Sequence, residues 1–366
     1  MRIRKKTFGF DDLLLVPRLS SIESRATVNL SINLAGINLT CPIVSSNMDT
    51  ITEYEMAIAL EALGGLGIIH RYLSDEQRFK QLQKISDLKH RAMAVGITKE
   101  EILFAKELLK RGVNVICIDV AHGHNTLLER ALGELKNFSE TLSQENLQDA
   151  NLTQYKKGLK PLNKPVFIAG NVATPEGAQD LTRWGADVIK VGIGPGSMCT
   201  TRIVTGAGYG QLTALGDCAL ATTAPILADG GIRNSGDATK ALAAGASAVV
   251  LGKLLAGCKE VPSWAREAGT YRGMASFEAQ NKHYGYTFTD RHPEGVATRI
   301  EPKGHVADIL GPLLGGIRSG LSYVGARNLT ELRENAEFVE CAPGVVVESL
   351  PHGLSPEYGR ELKRSQ

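Results

Sequence analysis

The chain has 366 residues, of which 43% are hydrophobic and 22% are charged, a composition typical of a globular protein with a sizeable core. Its 41 basic and 39 acidic side chains leave a formal net charge of +2, which argues against a general affinity for nucleic acid or for an anionic membrane. No apolar run approaches the roughly 20 residues of a membrane helix, and the N-terminal segment 8–16 carries two acids. We therefore expect a cytoplasmic protein without a signal peptide.

Eight short runs rich in aliphatic and β-branched residues recur along the chain, and each ends at a polar or glycine-rich corner. Continuous apolar runs of this length are typical of strands that are covered on both faces. The eight predicted strands are Cys41–Ser46, Gly65–Ile69, Arg91–Val95, Val113–Ile118, Pro165–Ala169, Ala186–Val191, Ala224–Ala228 and Ser247–Leu251.

Helical patterns separate most of these strands. The clearest are Glu53–Leu63, Lys99–Leu109, Pro175–Trp184 and Ser235–Ala244. Eight alternations of strand and helix predict an α/β fold of the (β/α)8, or TIM-barrel, type. The alternative is an open doubly wound sheet, but no Gly-x-Gly-x-x-Gly motif directly after an early strand supports it.

Two segments interrupt this alternation. Residues 139–164 are polar and rich in Lys, Gln and Asn, which predicts a surface insertion. Residues 257–304 follow the eighth strand and are Gly-rich and charged, and a loop of that length is usually functional, most often a lid. Since neither segment has the apolar periodicity to form its own core, we predict one barrel domain over residues 1–366, with an active-site flap at 257–304.

The six cysteines lie far apart, without a Cys-x-x-Cys pair or a zinc-type Cys/His spacing, and most are expected to be buried thiols. Cys199 differs because it lies in segment 192–202, Gly-Ile-Gly-Pro-Gly-Ser-Met-Cys-Thr-Thr-Arg, directly after the sixth strand. The chemistry of a TIM barrel takes place at the C-terminal ends of its strands. This loop therefore predicts a nucleophilic thiolate, with Ser197 and nearby amides able to bind phosphate. The alternative is an incidental cysteine at a barrel corner.

Glycines also follow the last two strands. Asp229, Gly230 and Gly231 come after the seventh strand, and Gly252 and Lys253 come after the eighth. These two loops form the usual phosphate site of TIM barrels, and a carboxylate can accept two hydrogen bonds from a ribose diol. The two corners together therefore predict a site for a phosphorylated nucleoside.

Segment 192–202 and five further motifs resemble the IMP dehydrogenase/GMP reductase family. The further motifs are Phe10–Pro17, Asn47–Thr50, Asp229–Gly231, Tyr271–Met274 and Leu314–Ser319, in family order across residues 8–350. The resemblance implies a barrel that binds a purine nucleotide monophosphate, bonds Cys199 to C2 of the base and exchanges hydride with a nicotinamide cofactor. It also implies a homotetramer.

Within the family, three features favour the GMP reductase branch. Residues 71–91 have room for only a short helix, where typical dehydrogenases carry inserted regulatory CBS-type modules. The flap is short and lacks the Arg-Tyr pair with which dehydrogenases activate water, and residues 24–25 with 47–49 form a reductase-like combination. Segments 64–70, 119–124 and 345–352 look more like a dehydrogenase. The expected reaction is reduction of GMP by NADPH to IMP and ammonia. IMP dehydrogenase, acting on IMP and NAD, and a nucleotide-sensing barrel without catalysis are the alternatives.

The same resemblance implies roles for individual residues. The implied catalytic residues are Cys199, Thr201 and Glu294. The implied substrate-binding residues are Ser197, Asp229, Gly230, Gly231, Gly252, Lys253, Tyr271, Gly273, Met274, Arg291 and Gly295. The implied NADPH-binding residues are Ser24, Arg25, Arg71, Asp119, Val120, Ala121, Ile193, Gly194, Arg291, Ser319 and Ser322, of which Ser319 and Ser322 come from a neighbouring subunit. A monovalent cation (K⁺) is implied at Gly194, Gly196, Cys199 and Arg202.

Overall fold

The computed structural model describes residues 3–148, 164–285 and 292–351. Eight parallel strands close into a barrel in sequence order, with the eighth strand paired to the first. They are β1 (Ile43–Ser45), β2 (Leu66–Ile69), β3 (Ala92–Val95), β4 (Val115–Asp119), β5 (Val166–Val172), β6 (Val188–Val191), β7 (Ile226–Asp229) and β8 (Ala248–Leu251). All eight predicted strands are confirmed, with small differences at their ends.

Helices surround this barrel. They are α1 (Tyr54–Ala62), α2 (Asp75–Lys84), α3 (Lys99–Lys110), α4 (Thr126–Gln148), α5 (Pro175–Arg183), α6 (Gln211–Ala221), α7 (Ser235–Ala243) and α8 (Val306–Tyr323). Several of these helices begin after a residue whose side chain accepts a hydrogen bond from a backbone N–H of the first turn. The Thr98 side chain accepts from the Glu101 N–H, and the Asn234 side chain accepts from the Asp237 N–H. The predicted (β/α)8 barrel is confirmed. None of the described helices is long and apolar enough to cross a membrane.

Smaller elements decorate the barrel. The described residues outside it form three antiparallel strand pairs, Leu13–Leu15 with Phe338–Glu340, Ile32–Leu34 with Ile37–Leu39, and Thr270–Arg272 with Ala297–Arg299. The remaining helical segments are Arg25–Thr27, Thr201–Thr205, Ser263–Glu267, Phe277–Tyr284, Leu329–Asn335 and Pro343–Glu348.

The core has two apolar layers. One lies between the strands and the surrounding helices, and the other fills the barrel interior. The hairpin of Ile32–Leu34 and Ile37–Leu39 contributes Leu34, Ile37 and Leu39 to the interior layer, where they pack with strand residues such as Val44. The hairpin therefore closes one end of the barrel, because its apolar side chains complete the interior.

The first ten residues of the predicted surface insertion at 139–164 belong to a helix. Residues 139–148 continue α4, in which Phe138 and Leu142 pack against the core and Ser139 is buried. The prediction was wrong here because the polar composition of the segment concealed a helical spacing of apolar residues. Residues 149–163 lie outside the described residues.

Gly67 of β2 marks the closest approach between the barrel and α1. A Cβ atom added to Gly67 would lie 2.4 Å from the Cα of Ala57. We expect Gly67→Ala to lower the free energy of unfolding by about 1–3 kcal/mol, because the backbone of α1 has to move outward. Urea-induced unfolding measures this change.

Gly133→Ala is the matched control, since a Cβ atom at Gly133 in α4 meets nothing within 4 Å. Helix propensity predicts a gain of up to about 1 kcal/mol there. Equal losses in the two variants would contradict the packing described for Gly67.

Candidate active site

A cavity of about 300 Å³ opens at the C-terminal ends of the barrel strands. Its wall contains residues that follow β1, β2 and β4 to β7, together with residues of the flap. This is the face on which TIM barrels carry their chemistry. All three predicted catalytic residues, Cys199, Thr201 and Glu294, line this cavity.

The cysteine loop follows β6 and turns sharply at two glycines. Gly192 and Gly194 have φ values of +152° and +85°, which residues other than glycine rarely adopt. A Cβ atom on Gly192 would lie 2.0 Å from the carbonyl oxygen of Asp229. Beyond the turn, the Cys199 N–H donates to the Gly196 carbonyl at 3.0 Å. The loop therefore holds the Cys199 thiol, half-buried, in the cavity wall.

A continuous hydrogen-bonded array links Cys199 to the flap. The thiol Sγ donates to Thr201 Oγ1 at 3.1 Å, and Thr201 Oγ1 donates to Glu294 Oε2 at 2.8 Å. The backbone fixes this arrangement, since the Thr200 N–H donates to the Glu294 carbonyl at 2.9 Å and the Glu294 N–H donates to the Ala275 carbonyl at 3.0 Å. Such an array can carry a proton from a thiol to a carboxylate.

Charged and amide side chains form the floor of the cavity. Lys190 Nζ lies 2.7 Å from Asp119 Oδ1 and 2.7 Å from Asp229 Oδ2. Asn47 donates to Asp119 and Asn171 donates to Asp229, at 2.7 and 2.8 Å. Burial opposes the charge on Lys190, but the two carboxylates outweigh it and raise its pKa. Burial likewise opposes ionisation of Asp119, but Lys190 outweighs it and lowers the pKa of that carboxyl group.

Sequence reasoning predicted both aspartates of this floor but missed Lys190, Asn171 and Asn47 as site residues. A signal for Lys190 was present, because it interrupts the apolar run of β6 and a lysine is seldom fully buried unless it is paired.

Ser197, Tyr271 and Gly230 line a second part of the cavity, whereas Gly231 and Gly252 adjoin these residues without lining it. Ser197 Oγ and the Tyr271 hydroxyl lie 3.1 Å apart, and burial raises the pKa of Tyr271 to about 12, so the phenol stays neutral near pH 7. Gly230 and Gly231 have φ values of +93° and +84°, and a Cβ atom on Gly252 would lie 3.0 Å from the Tyr271 hydroxyl. The predicted phosphate corner therefore combines hydroxyl donors with backbone that a ligand can approach closely.

The flap residues predicted to border the base lie beside the cysteine loop. A Cβ atom on Gly273 or on Gly295 would lie 3.0 Å from the Met198 carbonyl, and Gly273 and Met274 line the cavity. Lys253 is not among the cavity-lining residues, and its carbonyl accepts a hydrogen bond from Lys303 at 3.1 Å. Arg291, predicted in both the substrate and the cofactor sites, lies outside the described residues.

The predicted cofactor residues fall into two groups. The cavity-lining group is Arg71, Asp119, Val120, Ala121, Ile193 and Gly194. The other group, Ser24, Arg25, Ser319 and Ser322, does not line the cavity of this chain. Arg25 Nη1 donates to Ser319 Oγ at 2.9 Å, because the short helix Arg25–Thr27 packs against α8.

The residues predicted for a monovalent cation lie around the glycine turn. Gly194, Gly196 and Cys199 line the cavity, whereas the exposed Arg202 donates to the Ile193 and Tyr209 carbonyls at 3.4 and 2.5 Å. Within the described ranges, no group of three His, Cys, Asp or Glu side chains could hold a metal ion. Carbonyl oxygens suit hard cations, so the loop offers the right donor type for K⁺.

The comparison with protein families bears directly on this site. Residues 7–144 and 143–352 match the model of the IMP dehydrogenase / GMP reductase domain. The chain belongs to the IMP dehydrogenase/GMP reductase family. The matched residues include the cysteine loop, the flap and all the residues that line the cavity.

Relatives within the family carry both names. The chain is 33% identical to the inosine-5'-monophosphate dehydrogenase of Methanocaldococcus jannaschii, over 96% of each chain, and 34% identical to that of Borreliella burgdorferi, over 96% of this chain and 98% of the relative. Among solved structures, a cysteine-to-alanine variant of the GMP reductase of Trypanosoma brucei, in complex with guanosine 5'-monophosphate, is 26% identical with a TM-score of 0.83. That match covers 96% of this chain and 99% of the other.

Proposed function

We propose that the protein is a GMP reductase, which converts GMP and NADPH to IMP, ammonia and NADP⁺. The observation that carries the proposal is the flap, which delivers Glu294 to Thr201 but has no Arg-Tyr pair within residues 275–304. A dehydrogenase needs a base that activates water to hydrolyse the covalent intermediate. A reductase needs no such water, because hydride resolves its intermediate. The structural similarity to a GMP reductase with bound GMP supports this assignment.

The array of Cys199, Thr201 and Glu294 accounts for the first chemical step. The Cys199 sulfur attacks C2 of guanine, the C2–N bond of the amino group breaks, and a thioimidate forms. The thiol proton passes through Thr201 to Glu294 and then to the departing amine, which leaves as ammonia. The covalent intermediate thereby divides the direct replacement of the amino group by hydride, which is slow, into two faster steps.

The second step restores the free cysteine. The nicotinamide cofactor, when bound, would supply the hydride for C2, and Cys199 would leave as the thiolate when the C2–S bond breaks to give IMP. Arg71, Asp119, Val120, Ala121, Ile193 and Gly194 are the residues we assign to that cofactor, because they line the same cavity. Arg71 suits the phosphate groups of NADPH, since a guanidinium binds phosphate through paired hydrogen bonds.

The remaining contacts hold the nucleotide. We assign its phosphate to Ser197, Tyr271 and the loops at Gly231 and Gly252, and its ribose to Asp229. Gly273, Met274, Arg291 and Gly295 would border the base. Lys253 was also predicted to contact the phosphate; like Gly231 and Gly252, it follows a barrel strand but does not line the cavity.

Three further predictions concern the oligomeric state, a bound cation and the cellular location. A tetramer would bring Ser319 and Ser322 of one chain to the cofactor of another, which fits the finding that neither serine lines the cavity of its own chain. K⁺ would bind the carbonyls of Gly194, Gly196 and Cys199. Cytoplasmic localisation fits four of the six cysteines being buried free thiols.

IMP dehydrogenase activity is the second candidate, because relatives with 33% and 34% identity carry that name. The alignment with the Methanocaldococcus jannaschii protein spans 497 positions, so that relative contains residues without a counterpart among the 366 of this chain. The alignment with the Borreliella burgdorferi protein spans only 427 positions, so chain length alone does not separate the two activities.

A paired spectrophotometric assay tests the assignment. We expect the purified protein to consume NADPH in the presence of GMP and to release one ammonia for each NADPH oxidised. We expect IMP and NAD⁺ to give at most slow formation of NADH. Faster turnover of IMP and NAD⁺, with XMP as the product, would overturn the proposed reaction and establish the second candidate.

A further inference from the structure

We propose that Lys190 is a positioning residue that couples the ribose subsite to the cofactor subsite. The inference rests on the proposed function, which places the nucleotide ribose at Asp229 and the cofactor at Asp119. Lys190 was not among the predicted site residues, and it contacts both carboxylates.

The position of Lys190 lets one side chain reach both subsites. It lies on β6, between β5 and β7, and is only 4% exposed. Its Nζ atom lies 2.7 Å from Asp119, at the end of β4, and 2.7 Å from Asp229, at the end of β7. One cation therefore serves two carboxylates that belong to different subsites.

The amide donors around the two carboxylates leave one oxygen available to the ribose. Asn47 donates to Asp119 Oδ2, and Asn171 donates to Asp229 Oδ2, the oxygen that also accepts from Lys190. Among the described residues, Asp229 Oδ1 accepts no side-chain hydrogen bond, and Asp229 lines the cavity. Lys190 and Asn171 thus hold the carboxylate by one oxygen and leave the other for a ribose hydroxyl.

Electrostatics gives Lys190 its influence over both sites. Lys190 forms an ion pair with each carboxylate, so the cation between them offsets their repulsion. Without Lys190, these two partly buried carboxylates would repel each other with no cation between them, and such repulsion favours binding of a proton or a cation by the pair. A proton or cation bound by the pair weakens Asp229 as an acceptor for the ribose and Asp119 as an acceptor for the cofactor at the same time.

The test compares four forms of the full-length protein, namely wild type, Lys190→Met, Lys190→Met with Asp119→Asn, and Lys136→Met. Lys136→Met is the matched control, because Lys136 of α4 makes a similar, partly buried ion pair with Asp187 at 2.8 Å without lining the cavity. Calorimetry gives the Kd of GMP, and steady-state kinetics gives the KM of NADPH. If the wild type prefers IMP and NAD⁺, the same measurements use that pair, so a wrong reaction direction does not disguise the result for Lys190.

Lys190→Met is expected to raise both the Kd of the nucleotide and the KM of the dinucleotide by at least about tenfold. Lys136→Met is expected to change each by less than about twofold. Adding Asp119→Asn removes the second carboxylate, so its charge no longer repels that of Asp229. The nucleotide Kd of the double variant is therefore expected to return to within about threefold of wild type, while the dinucleotide KM stays high.

Recovery of nucleotide binding separates coupling from a structural role. If Lys190 only stabilised the structure, adding Asp119→Asn to Lys190→Met would leave nucleotide binding as weak as in the single variant, or weaker. That result would overturn the proposal. Unchanged constants in Lys190→Met would overturn it as well. If Lys190→Met fails to fold, judged by its melting temperature against that of Lys136→Met, Lys190→Gln takes its place, and the same loss and recovery are required.

Discussion

Replacing Cys199 with alanine is expected to lower kcat by at least about 10⁴-fold, because the variant has no atom that can bond to C2 of the purine. The Kd of GMP is expected to stay within about threefold of wild type. The residues assigned to phosphate and ribose lie elsewhere in the cavity and keep their positions, and a sulfhydryl contributes little to ground-state binding. GMP-dependent oxidation of NADPH gives kcat, and calorimetry gives Kd.

Cys341→Ala is the matched control for this variant. Cys341 is the other half-buried cysteine among the described residues, and it lies beside the strand Phe338–Glu340, where its N–H donates to the Asp12 carbonyl. This variant is expected to retain full activity. Turnover by Cys199→Ala at a rate comparable to Cys341→Ala would refute Cys199 as the nucleophile.

Glu294→Gln is the change with the second largest expected effect, a decrease in kcat of about 10²- to 10⁴-fold. An amide cannot take up the proton that leaves the thiol through Thr201, so departure of ammonia slows. The glutamine carbonyl can still accept the hydrogen bond from Thr201 Oγ1, and the flap is held by backbone contacts that the change does not touch. The Kd of GMP is therefore expected to change little.

Rapid-quench measurement of ammonia release separates deamination from the later hydride step. Glu278→Gln is the control, because Glu278 is an exposed carboxylate on the same flap, in helix Phe277–Tyr284. It should leave both steps unchanged. Loss of GMP binding in Glu294→Gln, with deamination of bound GMP at the normal rate, would make Glu294 a ligand and not part of the proton path.

The barrel could be predicted from the sequence because its strands are covered on both faces. Runs such as Ala248–Leu251 therefore read as continuous apolar segments, and helices such as α3 carry a clear apolar face. The end of α4 could not be predicted in the same way, because residues 139–148 place a few apolar side chains among many polar ones. The antiparallel pair of Thr270–Arg272 with Ala297–Arg299 also escaped prediction, because each strand is only three residues long.

The candidate site was predicted in part. Segment 192–202 was found from its glycines and its position after a strand, whereas Thr201 and Glu294 were assigned by resemblance. Local sequence cannot show that Glu294 reaches Thr201, since 92 residues lie between them and the contact depends on how the flap folds back. The floor around Lys190 was missed for a related reason, because its partners come from different strands and meet only when the barrel closes.

The crystal structure of the wild-type protein with GMP, without cofactor, tests the central claim most directly. We expect the Cys199 sulfur to lie within about 3.5 Å of C2 of the guanine, the ribose hydroxyls to contact Asp229, and the phosphate to lie at the ends of β7 and β8. Guanosine monophosphate bound at this cavity with its C2 turned away from the sulfur, or bound elsewhere on the protein, would contradict it.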